Sequence, residues 1–221
     1  MPSARQQFTE DLEQLRLQVE LMAVRVDQNL ERMREVLRTG DTELAAVAIA
    51  ADNEIDAMNV SLMERCYDVL RREAPVASDL RFVVSVLRVL GELERIGDLS
   101  LRVDKVADQH ELLTAHPEIL DVLLSMADEA LDRYRLALRA WATTDLLLAG
   151  ELAAATPLDR FQFRLSSELV RLDGPDAVAV AVVASGIGRA IDRIGDHAAI
   201  IGARLRYLIT GDPDHLAAEV R

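Results

Sequence analysis

Cysteine occurs once in the 221 residues, so no internal disulfide can form and a reducing compartment is expected. Aromatic residues make up only 4% of the chain although half of it is hydrophobic. The apolar content is therefore mostly Leu, Val and Ala, which suits helices packed on helices. Lys105 is the sole lysine, and arginine carries the remaining positive charge. The formal charge of −13 argues against broad binding to nucleic acid or anionic membrane, since both need a basic surface. It fits a soluble protein that takes up cations or docks on basic patches. The longest uncharged apolar run, 177–188, is too short to span a bilayer, and the start of the chain lacks the apolar stretch of a signal peptide. Any membrane association is expected through a partner. Glycines and prolines, ten and six, fall mainly at breaks.

What remains is helical periodicity. Apolar residues recur at helical spacing from Phe8 to about Arg38, ending at Thr39-Gly40-Asp41 with glycine as C-cap and Asp41 or Thr42 as the next N-cap. A second helix is expected to about Arg72, and a third from near Val76, after Ala74-Pro75, to about His110. Pro117 reads as the first-turn proline of a fourth helix carrying Trp141. A fifth opens at Thr143-Thr144-Asp145 and either kinks or restarts at Thr156-Pro157. A sixth follows the turn Asp173-Gly174-Pro175 and stops at Gly211. The expected fold is all-α: two tandem three-helix bundles, residues 1–113 and 114–221, related as a pseudo-twofold repeat.

The repeat is written in the chain. Glu94-Arg95-Ile96-Gly97-Asp98 returns 98 residues later as Asp192-Arg193-Ile194-Gly195-Asp196. Each copy stacks two carboxylates one helical turn apart, a like-charge pair costing about 0.2–0.5 kcal/mol even when exposed. The stripe Leu80, Val84, Leu87, Gly91, Glu94, Asp98, Leu101 places these acids on the packing seam of the third helix. Helix two carries Asp52 and Asp56 on the stripe Ala45, Ile49, Asp52, Asp56, Asn59, Met63, Cys66. Counted from a turn near Pro75, Asp56 falls level with Glu94, and Asp52 with Asp98. Four facing acids call for a cation. In the second half Asp159 falls level with Asp192 but Ala155 falls opposite Asp196, with Glu151 one turn away. Arg102, Arg189 and Arg193 are alternative neutralisers for the acids, and Arg95 and Arg193 are expected to be solvated surface residues, the alternative being that they steer an anion or a partner.

Carboxylate-only sites favour hard cations such as Mg²⁺, Mn²⁺ or Ca²⁺. No glutamate is followed by histidine three residues on, so the pattern of a di-iron oxidase is missing. No Cys/His zinc spacing, P-loop or nucleophile elbow is present either. Of the four histidines only His197 adjoins a motif, and its direction on the helix points away from Asp196.

At these residues the chain resembles the PhoU family, phosphate-transport accessory and regulatory proteins. The likeness runs over roughly residues 8–210 and is densest in AVAIAADNEIDAM, APVASDLRFVVSVLRVLGELERIGDLS and AIDRIGDHAAI. The resemblance implies two three-helix repeats, each with an acidic motif that binds Mg/Mn or Fe/Zn clusters. It assigns Glu94 and Asp98 to the first site, Asp192 and Asp196 to the second, Asp52 and Asp56 as supporting acids, and Asp159 as their counterpart. Arg102 and Ile200 stand where many members have asparagine. The resemblance further implies a non-enzymatic cytoplasmic regulator. It would restrain Pst phosphate uptake through the ATPase PstB, silence a PhoR-type sensor kinase through its PAS region, and form a homodimer. The competing readings are a metal-dependent enzyme using the carboxylates, a metal-free helical adaptor, and a histidine phosphotransfer protein acting through His197.

Overall fold

The computed structural model describes residues 4–153 and 158–220, and every one of its regular elements is helical. Helix α1, Ala4–Thr39, ends where Gly40 turns left-handed (φ +70°) and donates its amide to the Val36 carbonyl at 2.8 Å. Asp41 then caps α2, Thr42–Glu73, by accepting the Leu44 N–H at 2.9 Å. Such caps contribute roughly 1 kcal/mol. After a turn at Pro75, α3 runs Ala77–Asp104.

The third helix stops short of the His110 expected from periodicity. A 3₁₀ turn at Ala107–Gln109 intervenes, and a short α4, His110–Thr114, follows. Tertiary anchoring explains the break. His110 donates through Nε2 to the Leu37 carbonyl at 3.0 Å, its ring lies against Gly40, and Leu113 is buried in the core. A continuous helix would carry both residues away from α1.

Pro117 is the N1 residue of α5, Pro117–Thr143. Asp145 accepts the Leu147 and Leu148 amides and starts α6, Leu146–Leu152. The fifth helix of the sequence reading is thus two pieces, α6 and α7, Leu158–Val170. The expected break at Thr156-Pro157, and Ala155 with it, lie outside the described residues. Helix α8, Ala177–Thr210, ends at Gly211 (φ +73°), and Pro213–Val220 closes the described chain as 3₁₀ helix.

Helices α1, α2 and α3 pack on one another, as α5, α6, α7 and α8 do, so each half is a three-stranded bundle of helices. The halves meet along α3 against α8 and α1 against α5. One hydrophobic core runs through both halves. The repeat extends to its buried polar contacts. Asn29 in α1 donates to the Ala48 carbonyl of α2 at 3.4 Å, and Arg133 in α5 donates to the Leu152 carbonyl of α6 at 2.9 Å. Tyr134, fully buried, donates to the Ala23 carbonyl at 2.7 Å and ties α5 to α1.

Candidate metal-binding carboxylate sites

The α2–α3 hairpin brings Asp52, Asp56, Glu94 and Asp98 into one electrostatic neighbourhood, as the count from Pro75 requires. Asp52 is buried at 7% exposure, and its Oδ1 occupies the space over Gly97, where an added Cβ would come within 2.9 Å. The motif glycine is therefore a cradle for a carboxylate of the neighbouring helix. Burial, then the charges of Asp56, Asp98 and Glu94, push the Asp52 carboxyl up to about 6, with Lys105 opposing. Burial, Asp98 and Asp56 raise Glu94 against the pull of Arg95. None of these four acids has a close ion-pair partner among the described residues, and Lys105 and Arg95 oppose their charge only from farther off.

Asp104, at the end of α3, was not singled out by periodicity. It is fully buried, and neither of its carboxylate oxygens has a hydrogen-bond partner among the described residues. Burial pushes it up to about 7, while Arg32 pulls it down and Asp52 pushes it further up. It deepens the acidic pole of the first half. The available signal was its place one turn beyond Ser100 on the Ile96–Ser100 stripe.

In the second half Asp159 on α7 and Asp192 and Asp196 on α8 interact as a group. Burial raises Asp192 first, then Asp196 and Asp159, against Arg193. Asp159, Asp196 and Glu151 are exposed. Over Gly195, the counterpart of Gly97, lies an apolar side chain: an added Cβ would come within 2.3 Å of Leu158 Cδ1. Arg133 is buried at 7% exposure; burial lowers its pKa, and the nearby carboxylates of Glu129 and Asp196 raise it. This half carries an internal cation beside its acids.

The seams differ from those drawn on the sequence. Leu80 and Val84 are exposed and so is Asp98, whereas the buried face of α3 is Phe82, Val83, Val86, Leu90, Leu93, Ile96, Gly97 and Val103. Because α1, α2 and α8 cover α3 on several sides, its buried face is wide and the expected stripe is its border. On α2, Asp52 is dry as expected, but Ile49 and Asp56 are exposed. Among the described residues Arg102 forms no ion pair with Asp98, nor do Arg189 and Arg193 with Asp192 or Asp196; the three arginines line a cavity between α3 and α8 that Asp98 borders.

His197 is buried, and its Nδ1 is hydrogen-bonded to Glu92 Oε2 at 2.6 Å, while Arg95 donates to Glu92 Oε1 at 2.8 Å. Glu92, another residue the periodicity did not single out, thus staples α3 to α8. Cys66 is packing, buried with its thiol pushed up to about 12. Among the described residues no three Asp, Glu, His or Cys side chains close on a single point at metal-ligand reach. By donor chemistry alone the acids are of the kind a hard cation takes, but no three of the described ones are gathered around one point.

Comparison with known proteins adds the lineage. The family model for the PhoU domain matches residues 19–105. The "Phosphate-specific transport system accessory protein PhoU homolog" of Pseudomonas aeruginosa is 31% identical over 216 residues, covering 93% of this chain and 86% of that protein. Its namesake in Pseudomonas putida is 30% identical, with 93% and 82% covered. The crystal structure of PhoU from Pseudomonas aeruginosa superposes with a TM-score of 0.86 at 28% identity, covering 93% of this chain and all of the other. The regulatory protein PhoU from Streptococcus pneumoniae, at 24% identity and a TM-score of 0.75, shares the fold.

Proposed function

The chain belongs to the PhoU family, and on that premise we propose that it is a cytoplasmic, metal-binding accessory protein of phosphate transport and signalling. It acts by docking and not by catalysis, in keeping with relatives that carry the name of accessory proteins. No helix among the described residues is long and apolar enough to cross a membrane. The finer assignments are negative regulation of Pst uptake through PstB and of a PhoR-type kinase through its PAS region. The homodimer is supported by the exposed stripe Leu17, Leu21 and Val24 on α1, an unusual surface for a helix facing only water.

One observation carries the metal reading. Asp52 is buried over Gly97 with Asp56, Glu94 and Asp98 around it and no arginine paired to any of them. A divalent cation bound there would supply the missing positive charge, with Glu94 and Asp98 as principal ligands and Asp52 and Asp56 in support. Asp192, Asp196 and Asp159 would hold the second ion. Mg²⁺ or Mn²⁺ suits an all-oxygen set, because Mg²⁺ keeps several waters and does not require every carboxylate to reach it. Iron or zinc, the family's alternatives, would bind the same acids. The family's regulatory chemistry would then need this chain's residues only to hold, orient and expose the ion to a partner.

The test is the metal content of protein purified without chelator, wild type against Asp98→Ala and Asp196→Ala, together with calorimetric titration of Mg²⁺ and Mn²⁺. Loss of the first-half ion in Asp98→Ala with the second retained is expected. Metal-free wild type that takes up neither ion would leave a metal-free adaptor as the answer. Deletion that leaves phosphate-responsive expression unchanged, with neither kinase nor transporter recovered by pull-down, would remove the pathway assignment.

A further inference from the structure

Between α3 and α8 lies a cavity of about 360 Å³ whose wall is built from Arg95, Arg102, Arg189 and Arg193, with Asp98 its one carboxylate. Leu99, Ala190, Gly186 and the edge of His197 complete it. Four guanidinium groups around one opening is a local reversal in a chain of formal charge −13. Arg102, Arg189 and Arg193 enter no ion pair among the described residues. Arg95 is held from below by Glu92, whose second oxygen is bonded to His197. The floor is thus a fixed, buried hydrogen-bond pair, and the rim is a set of free donors.

We propose that this cavity binds a condensed inorganic phosphate, pyrophosphate or tripolyphosphate. Guanidinium presents a planar fork that matches phosphoryl oxygens two at a time, and arginines from two facing helices can grip both ends of one ligand. Arg95 and Arg193 are the same position in the two copies of the repeated motif. They face each other across the junction of the halves, so the site has two like ends, as pyrophosphate does. The volume lies at the lower end of the range for small-molecule pockets, more than a single orthophosphate fills. No Phe, Tyr or Trp lines the cavity, and the His197 ring is buried and bonded to Glu92, so no exposed aromatic face offers a platform on which a nucleobase would stack. The inference goes beyond the metal reading and does not rest on it, since none of the four arginines is a candidate ligand, although Asp98 borders both sites.

The test uses the full chain, stripped of metal and returned to chelator-free buffer at about 0.1 M salt. Calorimetric titration with tripolyphosphate and pyrophosphate should show one saturable site. Each arginine removed costs a charge-assisted hydrogen bond or more, so Arg189→Gln with Arg193→Gln should weaken binding by about a hundredfold or more, and Arg102→Gln alone by about tenfold. Arg171→Gln, on the surface away from the cavity, and Asp52→Asn should bind as wild type does. Circular dichroism of each variant establishes that the helices are intact, and Arg193→Lys, which keeps the charge, should retain part of the affinity. Equal weak binding of sulfate, orthophosphate and pyrophosphate overturns the proposal, as does wild-type affinity in the double variant. ATP binding more tightly than tripolyphosphate overturns the inorganic assignment. Loss of binding in Asp52→Asn would place the anion on a metal at the acids and overturn the arginine site, whereas failure of metal uptake alone leaves it standing.

Discussion

Two glycines at the same place in the repeat, Gly97 and Gly195, do the same steric work for opposite chemistry. Over the first lies the carboxylate of Asp52; over the second lies the isobutyl group of Leu158. The polar partners differ in step. Asn29 takes the carbonyl of α2 in the first half, whereas the second half uses Arg133 for the corresponding carbonyl and so brings a buried cation close to Asp196. The first half keeps the larger acid pole, which includes the buried Asp104 and is opposed by Arg32, Lys105 and Arg95, whereas the second has a buried arginine, Arg133, beside Asp196. Duplicated backbone, then, does not mean duplicated function: the close approach of the helices is preserved, and what fills it decides whether a half needs an external cation. On this basis the first half is the better candidate for the proposed cation.

Exchanging the fillings breaks the contrast most severely. Leu158→Asp puts a carboxylate into an apolar niche and removes a buried leucine, and a loss of about 3–5 kcal/mol is expected in urea denaturation at pH 7. An unchanged midpoint would mean the niche is wet.

The next largest effect belongs to Asp104. Its carboxyl titrates near 7 in the folded chain against 3.8 for the free side chain. The folded state binds the proton more tightly, so stability contributed by this group is full below about pH 4 and falls as pH rises to about 7. Asp104→Asn should remove that slope and raise stability at pH 8 by about 2–4 kcal/mol in metal-free protein, read from denaturation at several pH values. A slope that survives the substitution would assign it to other acids.

Asp52→Leu gives the first half the second half's filling, and metal-free protein should gain about 1–2 kcal/mol at pH 8 because a raised carboxyl is removed. Added Mg²⁺ should then stabilise it less than wild type. Equal Mg²⁺ stabilisation of both would separate the ion from Asp52.

Much of this was legible from the chain because it is local. Gly40, Asp41, Pro117, Asp145 and Gly211 mark helix ends through their own backbone preferences, and each ends or starts a helix where expected. The levels of Asp52, Asp56, Glu94 and Asp98 followed from counting residues about one turn. The buried face of α3 did not follow, because a single stripe assumes one neighbour and α3 has several. Glu92 and Asp104 escaped for the same reason, being acids on a face that only the packing of α8 and α1 makes dry. The early end of α3 was equally hidden, since it depends on His110 reaching a carbonyl 73 residues back.

The uninterrupted core has a mechanical consequence. With Tyr134 bonded to the Ala23 carbonyl and α3 lying along α8, the two bundles share one continuous core, and the duplicated chain is expected to unfold as one cooperative body. Cutting it in two would bare the seam of each piece. The arginine-lined notch lies on that shared α3–α8 seam, so separating the halves would split it as well.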